Sequence, residues 1–570
     1  MCGIAGFVGD CDATRIIVAM LKCLEYRGYD SAGIATTDGG RIHLYRKVGT
    51  IATDDKEALS LHGNAGIGHT RWATHGRVSV QNAHPHLSCN RQIAVVHNGT
   101  IMNYRELKKE LQELEHVFRS ETDTEVIPHL LEAISAEGAV NRLEGDFATL
   151  VLDTRNKELV AVKRGCPLHM TETEYGTMVA SDTVAFDVLP HADIITLEDN
   201  KAVRIRIKTP SNLAAPPTPI RINTDTSTTH HMLREIQEQP EMLKRIAETA
   251  DHHHLMQTVV DLLRADHILF TASGTSRYAS LIGRYIISKG TERLSQVIAA
   301  SEFRYFADGV RRGMAVVAVS QSGETADVLA GVRAVKDKGA RIIVITNFPE
   351  STLGRLADKV IGLNCGREVG VAATKTFTAQ LAVFYLLLGA MMGRLDETRR
   401  ELVGVAEAVR QTIEQNQETV DTLAEKVSKE HDFYYLGRGI NFAVAGEAAL
   451  KMKEVSYVHA EGMAAGELKH GTLALVDEGT MVCGICPEDY THPEMTVNME
   501  EVRARKGIVI GITDGTGEGL DYQLRIPKVP EIYYPMVCII PAQMLAYWTA
   551  VKKGLSPDFP KNLAKSVTVL

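Results

Sequence analysis

No apolar stretch in this chain reads as a membrane span. The strongest, Leu381–Met392 (LAVFYLLLGAMM), is too short to cross a bilayer and reads as a buried helix. Met1 leads into Cys2 and Gly3, not into a basic segment with a long apolar core. No secretory signal is therefore expected, and the expected location is cytoplasmic. Positive charge is not in excess: the formal net charge is −9 and the pI is about 6.2. That balance argues against nucleic acid as the main partner but leaves room for a small anionic substrate in a locally positive site. Cysteine is sparse, scattered and odd in number, at nine residues. Such usage fits reduced thiols, not a disulfide framework. Cys483 and Cys486 form a C-x-x-C with no second pair, and they read as core residues of an apolar strand, MVCGICP. A nucleotide P-loop is missing too, because no Lys of the G-x-x-x-x-G-K-[ST] kind follows any Gly-rich turn.

What is present is long and ordinary in balance. At 570 residues, 45% apolar and 23% charged, the chain is too large for one core and calls for two or three domains. The Pro-rich stretch KTPSNLAAPPTP, from Lys208, reads as a linker. Before it, IAVVH and FATLVLD read as strands, and YRELKKELQELEH, Tyr104 to His116, as an amphipathic helix. After it, ADHILFTASGTSRYASLIGRYI from Ala265 and HDFYYLGRGINFAVAGEAALKMKE from His431 share one layout: apolar strand, small-residue turn, helix. Each continues into further strands spaced by helices, which predicts a doubly wound parallel sheet in each copy. The boundaries read this way are 1–207, a linker 208–240, two sheet domains 241–400 and 401–556, and a tail 557–570.

Three segments carry candidate chemistry. As a helix, GEAALKMKEVS places Glu447, Lys451 and Glu454 at i, i+4 and i+7, on one face, with His470 beyond a Gly-rich break. Two carboxylates and an amine so placed suit general acid–base work on a small substrate; spacing alone fits a solvated ion-pair face better. Cys2 would carry a free α-amine once Met1 is removed, and that amine can serve as base for its own thiol. An inert cysteine near a frayed terminus is the alternative. SQSGETADVL, from Ser320, puts hydroxyls and backbone N–H groups between a strand and a helix, as a phosphate cradle requires. The histidines His69, His75, His84, His86 and His97 have no zinc spacing, and His252–His254 read as surface.

The N-terminal motifs LEYRGYDSAGIA, GHTRWATHG, NAHPH, VVHNGTIMNY and SETDTEVI together resemble the N-terminal-nucleophile glutamine amidotransferases. EYRGYDSAG and TRWATHG place the resemblance with the glutamine–fructose-6-phosphate aminotransferase (isomerizing) family. It extends over essentially the whole chain, through HHM…EIQEQP and two sugar-isomerase (SIS) domains. The implied fold is multidomain, α/β and α+β: a glutaminase sandwich followed by two doubly wound SIS domains. The implied reaction turns D-fructose 6-phosphate and L-glutamine into D-glucosamine 6-phosphate and L-glutamate.

By that resemblance Cys2 attacks the glutamine amide, and Asn98 with the Gly99 N–H forms the oxyanion hole. Arg71 holds the glutamine carboxylate and Asp123 its ammonium, while Thr74 and His75 shape the pocket. Thr275, Ser276, Ser320, Gln321, Ser322 and Thr325 bind the sugar phosphate. Glu454 shuttles the proton between C1 and C2, Lys451 and Glu447 line the site, His470 assists ring opening, and Lys565 forms the Schiff base. Trp72 is implied as the gate of an internal ammonia channel. A homodimer is implied, with no metal, organic cofactor, nucleic acid or membrane. Departures from the family pattern are Ala373 for Ser, Thr472 for Pro, Leu570 for Glu, and KRGCPLHMTETEYG for R.GSPL. They bear on sugar specificity and efficiency more than on reaction type. Two other readings remain: the same architecture acting on a different keto-sugar phosphate, which Ala373 keeps open, and a sugar-phosphate-sensing regulator, against which the Glu454, His470 and Lys565 set counts.

Overall fold

The computed structural model describes residues 2–73, 75–208 and 229–567. Thr74, Leu570 and most of the Pro-rich stretch, all singled out above, lie outside the described residues. The chain divides into two compact units, Met1–Thr226 with Ser566–Leu570, and Ser227–Lys565.

In the first unit two antiparallel sheets face each other. One runs Ile195–Thr196, His169–Thr173, Gly176–Ala180, Gly3–Gly9, Ala65–Arg71, Ser31–Thr37, His43–Val48; the other runs Val203–Arg206, Glu158–Arg164, Phe147–Asp153, Ile93–Gly99, His86–Leu87. The two-residue period decides the layers. Ile4 and Val8 point between the sheets, onto Val96, Leu150 and Leu159. Ala5 and Phe7 point outward, under the helix Ala13–Leu24. On the far side Ile93, Val95 and Val151 meet the helices Tyr104–Glu113 and Val126–Ala133. Strands covered on both faces read as near-continuous apolar runs. The helix read as reaching His116 stops at Glu113, and Glu115 turns the chain at φ 65.

The second unit holds two five-stranded parallel sheets of identical topology. Their orders are Ser295–Ala299, His267–Ala272, Met314–Val319, Arg341–Thr346, Lys359–Gly362, and His459–Ala464, Asp432–Gly437, Met481–Ile485, Ile508–Thr513, Tyr522–Arg525. Each is a 2-1-3-4-5 order, whose ligand crevice lies at the carboxyl ends of the first and third strands. The helices after the two first strands, Gly274–Thr291 and Asn441–Ser456, approach closely at Gly446. A Cβ there would sit 2.3 Å from the Tyr278 ring, so only glycine permits the approach.

Three expectations change. The helix Glu531–Lys552 is apolar and long enough to cross a membrane, although no such span was read; 89% of its apolar window is buried in the core. The boundary at 400/401 falls inside the single helix Leu395–Val427, which has no Pro and whose Gly404 has open space around its Cβ position. The helix His231–Gln237, assigned to the linker, buries Met232 and Ile236 in the second unit's core. Cys483 and Cys486 are buried, as read.

Candidate active sites

Cys2 precedes the central strand Gly3–Gly9. The register Gly3 to Thr70 sets it beside the end of the neighbouring strand. Its Sγ lies 3.3 Å from the Trp72 N–H and 3.5 Å from the Trp72 carbonyl. Burial pushes the Cys2 thiol up, while the Trp72 N–H and the Arg71 and Arg27 guanidiniums pull the other way. From the facing sheet, Asn98 donates Nδ2 to the Cys2 carbonyl at 2.9 Å. Its Oδ1 faces His69 Nε2 at 3.2 Å, and the same nitrogen faces the His97 carbonyl at 3.0 Å. Two acceptors make that nitrogen the donor, so Nδ2 of Asn98 is aimed at the Cys2 end. Burial holds His69 and His86 down to about 3, and His84 well below its usual range. These stacked rings are therefore neutral and orient groups without titrating near pH 7.

Around Cys2 a small cleft is lined by Arg71, Trp72, His75, Gly99, Thr122 and Asp123, among others. Gly99 sits at φ +113, where a Cβ would lie 2.1 Å from the Asp146 carbonyl; only glycine brings that backbone to the cleft. Asp123 accepts the Ile101 N–H at 2.8 Å through one carboxylate oxygen. Arg71 is buried and donates to the His75, Gly76 and Arg77 carbonyls at 2.5, 3.1 and 3.4 Å. The sequence reading missed Arg27, which donates to the Cys2 carbonyl at 3.2 Å and pairs with Asp182 at 2.8 Å. Its position inside EYRGYDSAG was the available signal.

In the second unit the helical spacing holds. Lys451 and Glu447 are fully buried, and Lys451 Nζ lies 2.6 Å from Glu454 and 3.5 Å from Glu447. Thr275, from the other helix, accepts from Lys451 at 2.9 Å and donates to Glu447 at 3.0 Å. Burial pushes Glu447 up to about 8, with Glu454 repelling and Lys451 pulling it down. Lys451 is raised: burial would lower it, but the two carboxylates outweigh burial. Burial thus disfavours charge on Glu447, while Lys451 is held as the ammonium between its two acidic neighbours. Removing the cation is therefore expected to cost more than neutralising the acid. Lys451→Met should lower stability by about 3–5 kcal/mol, whereas Glu447→Gln, which mimics the neutral acid, should leave the thermal midpoint nearly unchanged; paired thermal unfolding curves check both.

Ser276 accepts from Gln380 at 2.9 Å. The Ser320 and Thr325 hydroxyls meet at 2.9 Å, and Ser320 accepts the Gly323 N–H at 3.1 Å. Ser322 accepts the Glu324 N–H at 3.2 Å, and Gln321 is half-buried in the same loop. This loop follows Met314–Val319, and Thr275 follows His267–Ala272, so both lie at the crevice of the first sheet. Lys565 is buried, 2.5 Å from Glu368 and 2.7 Å from the Gly370 carbonyl. Glu368 also accepts the Thr376 hydroxyl at 2.7 Å. Glu368 is held low: burial raises it, but Lys565 overrides. Its buried neighbour Glu235 is pushed up to about 8, by burial and then by Glu368. Sequence reasoning found neither acid. His470, by contrast, is exposed at the end of the turn Ala465–His470 and makes no hydrogen bond to Glu447, Lys451 or Glu454.

Comparisons with known proteins agree over the whole length. Residues 69–188 match the glutamine amidotransferase domain, and 261–390 and 426–553 each match the SIS domain. Among relatives, the glutamine–fructose-6-phosphate aminotransferases (isomerizing) of Thermococcus kodakarensis and Aquifex aeolicus are each 40% identical, over all of both chains. The C-terminal domain of the Francisella tularensis glucosamine-fructose-6-phosphate aminotransferase is similar in structure, with a TM-score of 0.55 and 32% identity, covering 59% of this chain and 99% of that one. A phosphosugar isomerase from Silicibacter pomeroyi shares the fold, with a TM-score of 0.52 at 24% identity over 58% of this chain and 100% of that one. With full-length relatives at this identity, the chain belongs to the glutamine–fructose-6-phosphate aminotransferase (isomerizing) family.

Proposed function

We propose that this protein converts D-fructose 6-phosphate and L-glutamine into D-glucosamine 6-phosphate and L-glutamate, the entry to amino-sugar synthesis. The observation that carries the reading is the buried cluster of Glu447, Lys451, Glu454 and Thr275 at the crevice of a doubly wound sheet. An ion cluster whose Glu447 and Lys451 are fully buried is a poor source of stability, and it supplies what a ketose–aldose conversion needs, a proton donor and acceptor on one face.

In the first unit, with Met1 removed, the Cys2 amine takes the thiol proton and the thiolate attacks the glutamine amide carbon. The oxyanion that forms is held by Asn98 Nδ2 and the Gly99 N–H, each worth about 3–4 kcal/mol when preorganised. Arg71 takes the substrate carboxylate in bidentate fashion, in exchange for its loop carbonyls, and Asp123 takes the ammonium. Ammonia leaves, past Trp72, and water releases glutamate from the thioester. In the second unit the Ser320–Thr325 loop and Ser276 hold the phosphate, Lys565 forms an imine at C2 with loss of water, ammonia displaces the lysine amine to leave the C2 ketimine, and Glu454 moves the proton from C1 to C2 to give the amino aldose. The exposed His470 assists ring opening in a homodimer, where a second copy brings it to the crevice. The domain ranges read from sequence stand as part of the proposal, except at 208–240 and 400/401.

The test is glutamate release from glutamine, with and without fructose 6-phosphate, with hexosamine phosphate followed in the same tube. Glutamate release stimulated by the sugar, with equal hexosamine output, is expected. Release indifferent to the sugar, with no hexosamine, would overturn the assigned acceptor.

A further inference from the structure

Four metal-ligating side chains converge in the first unit, away from the Cys2 cleft. Cys89 lies in the turn after the strand His86–Leu87. His116 follows Glu115, whose φ of 65 turns the chain back. His129 and Glu132 sit at i and i+3 on one face of the helix Val126–Ala133. We propose that Cys89, His116, His129 and Glu132 hold one zinc ion in a closed, tetrahedral, structural site.

The distances are those of a tetrahedron's edges. Zinc bonds near 2.0–2.1 Å to N and O and near 2.3 Å to S imply edges of about 3.3 Å for N···O and about 3.6 Å for S···N. The Cys89 Sγ lies 3.8 Å from His116 Nδ1 and 3.5 Å from His129 Nδ1. Glu132 Oε2 lies 3.0 Å from His116 Nδ1 and 3.5 Å from His129 Nδ1. All four donor atoms lie within 4.8 Å of one another. The Glu132 Oε2 atom is buried and has no hydrogen-bond partner, so its lone pairs are directed at the centre of the cluster.

The surroundings fit a metal rather than a chance cluster. Val117 donates its N–H to the Cys89 sulfur at 3.4 Å and so orients it. Asn90 donates its N–H to Glu132 Oε1 at 2.9 Å and so fixes the other oxygen inward. His129 Nε2, the nitrogen not used, faces Glu125 Oε1 at 3.8 Å. Backing of ligands by carboxylates and N–H groups is the usual outer layer of a zinc site. One thiolate, two imidazoles and one carboxylate suit zinc over magnesium or calcium. Four protein ligands leave no open position, so the role is structural. Cys89 is exposed and gives the ion a way in. The ion would pin the helix whose lead-in, Asp123–Glu125, carries Asp123 to the glutamine cleft.

The test uses the full chain, stripped by a chelator and titrated with Co2+. Expected are one equivalent bound, the intense visible bands of tetrahedral cobalt, and a thiolate-to-cobalt charge-transfer band, all displaced by Zn2+. Cys89→Ser should abolish the charge-transfer band, and His116→Ala should weaken binding at least about tenfold; both positions are accessible enough to tolerate change. Cys2→Ser should leave the spectrum as it is, which separates this site from the reactive thiol. Absence of binding, a pale octahedral spectrum, or a charge-transfer band that survives Cys89→Ser would each overturn the proposal.

Discussion

Lys565→Ala abolishes hexosamine-phosphate formation and leaves glutamine hydrolysis running; that is the first of the two largest effects expected. The amine is almost the last group in the described chain, and nothing in the local sequence marks it. What marks it is its surroundings: it is buried, 2.5 Å from Glu368 and 2.7 Å from the Gly370 carbonyl. A lysine side chain held there is fixed in place for its amine, once neutral, to attack a ketone. The imine that results is the electron sink for the proton transfer by Glu454. Without it the acid–base cluster has a substrate whose C1 proton it cannot draw off. The expected loss is of the order of 10³-fold or more, the scale seen when a covalent nucleophile is removed. Borohydride added with fructose 6-phosphate should trap a sugar adduct on Lys565 in the parent protein, read by peptide mass. Normal hexosamine output from Lys565→Ala, or an adduct on another lysine, would refute the assignment.

The two halves of that mechanism were not equally legible in the sequence. Glu447, Lys451 and Glu454 were found because a helix repeats on a fixed period, and the period alone puts them on one face. Thr275 is implied by the family resemblance of its GTS motif, yet its hydrogen bonds to Lys451 and Glu447 depend on two helices meeting at Gly446, which no local pattern encodes. Glu368 and Glu235 are apart in sequence and in no periodic run; their burial follows from the packing of the helix Lys375–Met391 and the short helix His231–Gln237. The apolar helix Glu531–Lys552 is hard to read from sequence because Pro541 and three tyrosines break its apolar run, although the core accepts them all. The proposed zinc ligands were invisible for a related reason. The four come from two separate turns and a helix, and only His129 and Glu132 share a spacing. In the first unit the cleft residues come from the motifs that carry the family resemblance, each a strand end followed by its own turn. Register then brings those ends together, as Gly3 opposite Thr70 brings Cys2 to Trp72.

Cys2→Ser is the second large effect, and it is the reverse of the first. Glutamine hydrolysis should fall by of the order of 10³-fold or more, while sugar isomerisation that needs no ammonia persists. The substitution keeps size and shape, so Asn98 Nδ2 still reaches the residue-2 carbonyl and Arg27 still supports it. What changes is the atom. A thiol has an ordinary pKa near 8.5, close enough to an α-amine near 8 for the amine to deprotonate it, whereas a serine hydroxyl is far too weak an acid for that exchange. Burial already pushes the Cys2 thiol up, so little proton-transfer range is left to lose. Glutamate release and sugar isomerisation measured on the same preparation decide the matter. Loss of both would mean that Cys2 supports the fold and not the chemistry. Survival of glutamate release would place the nucleophile elsewhere. Loss of the first alone, beside loss of the second alone in Lys565→Ala, would assign one reaction to each unit of the chain.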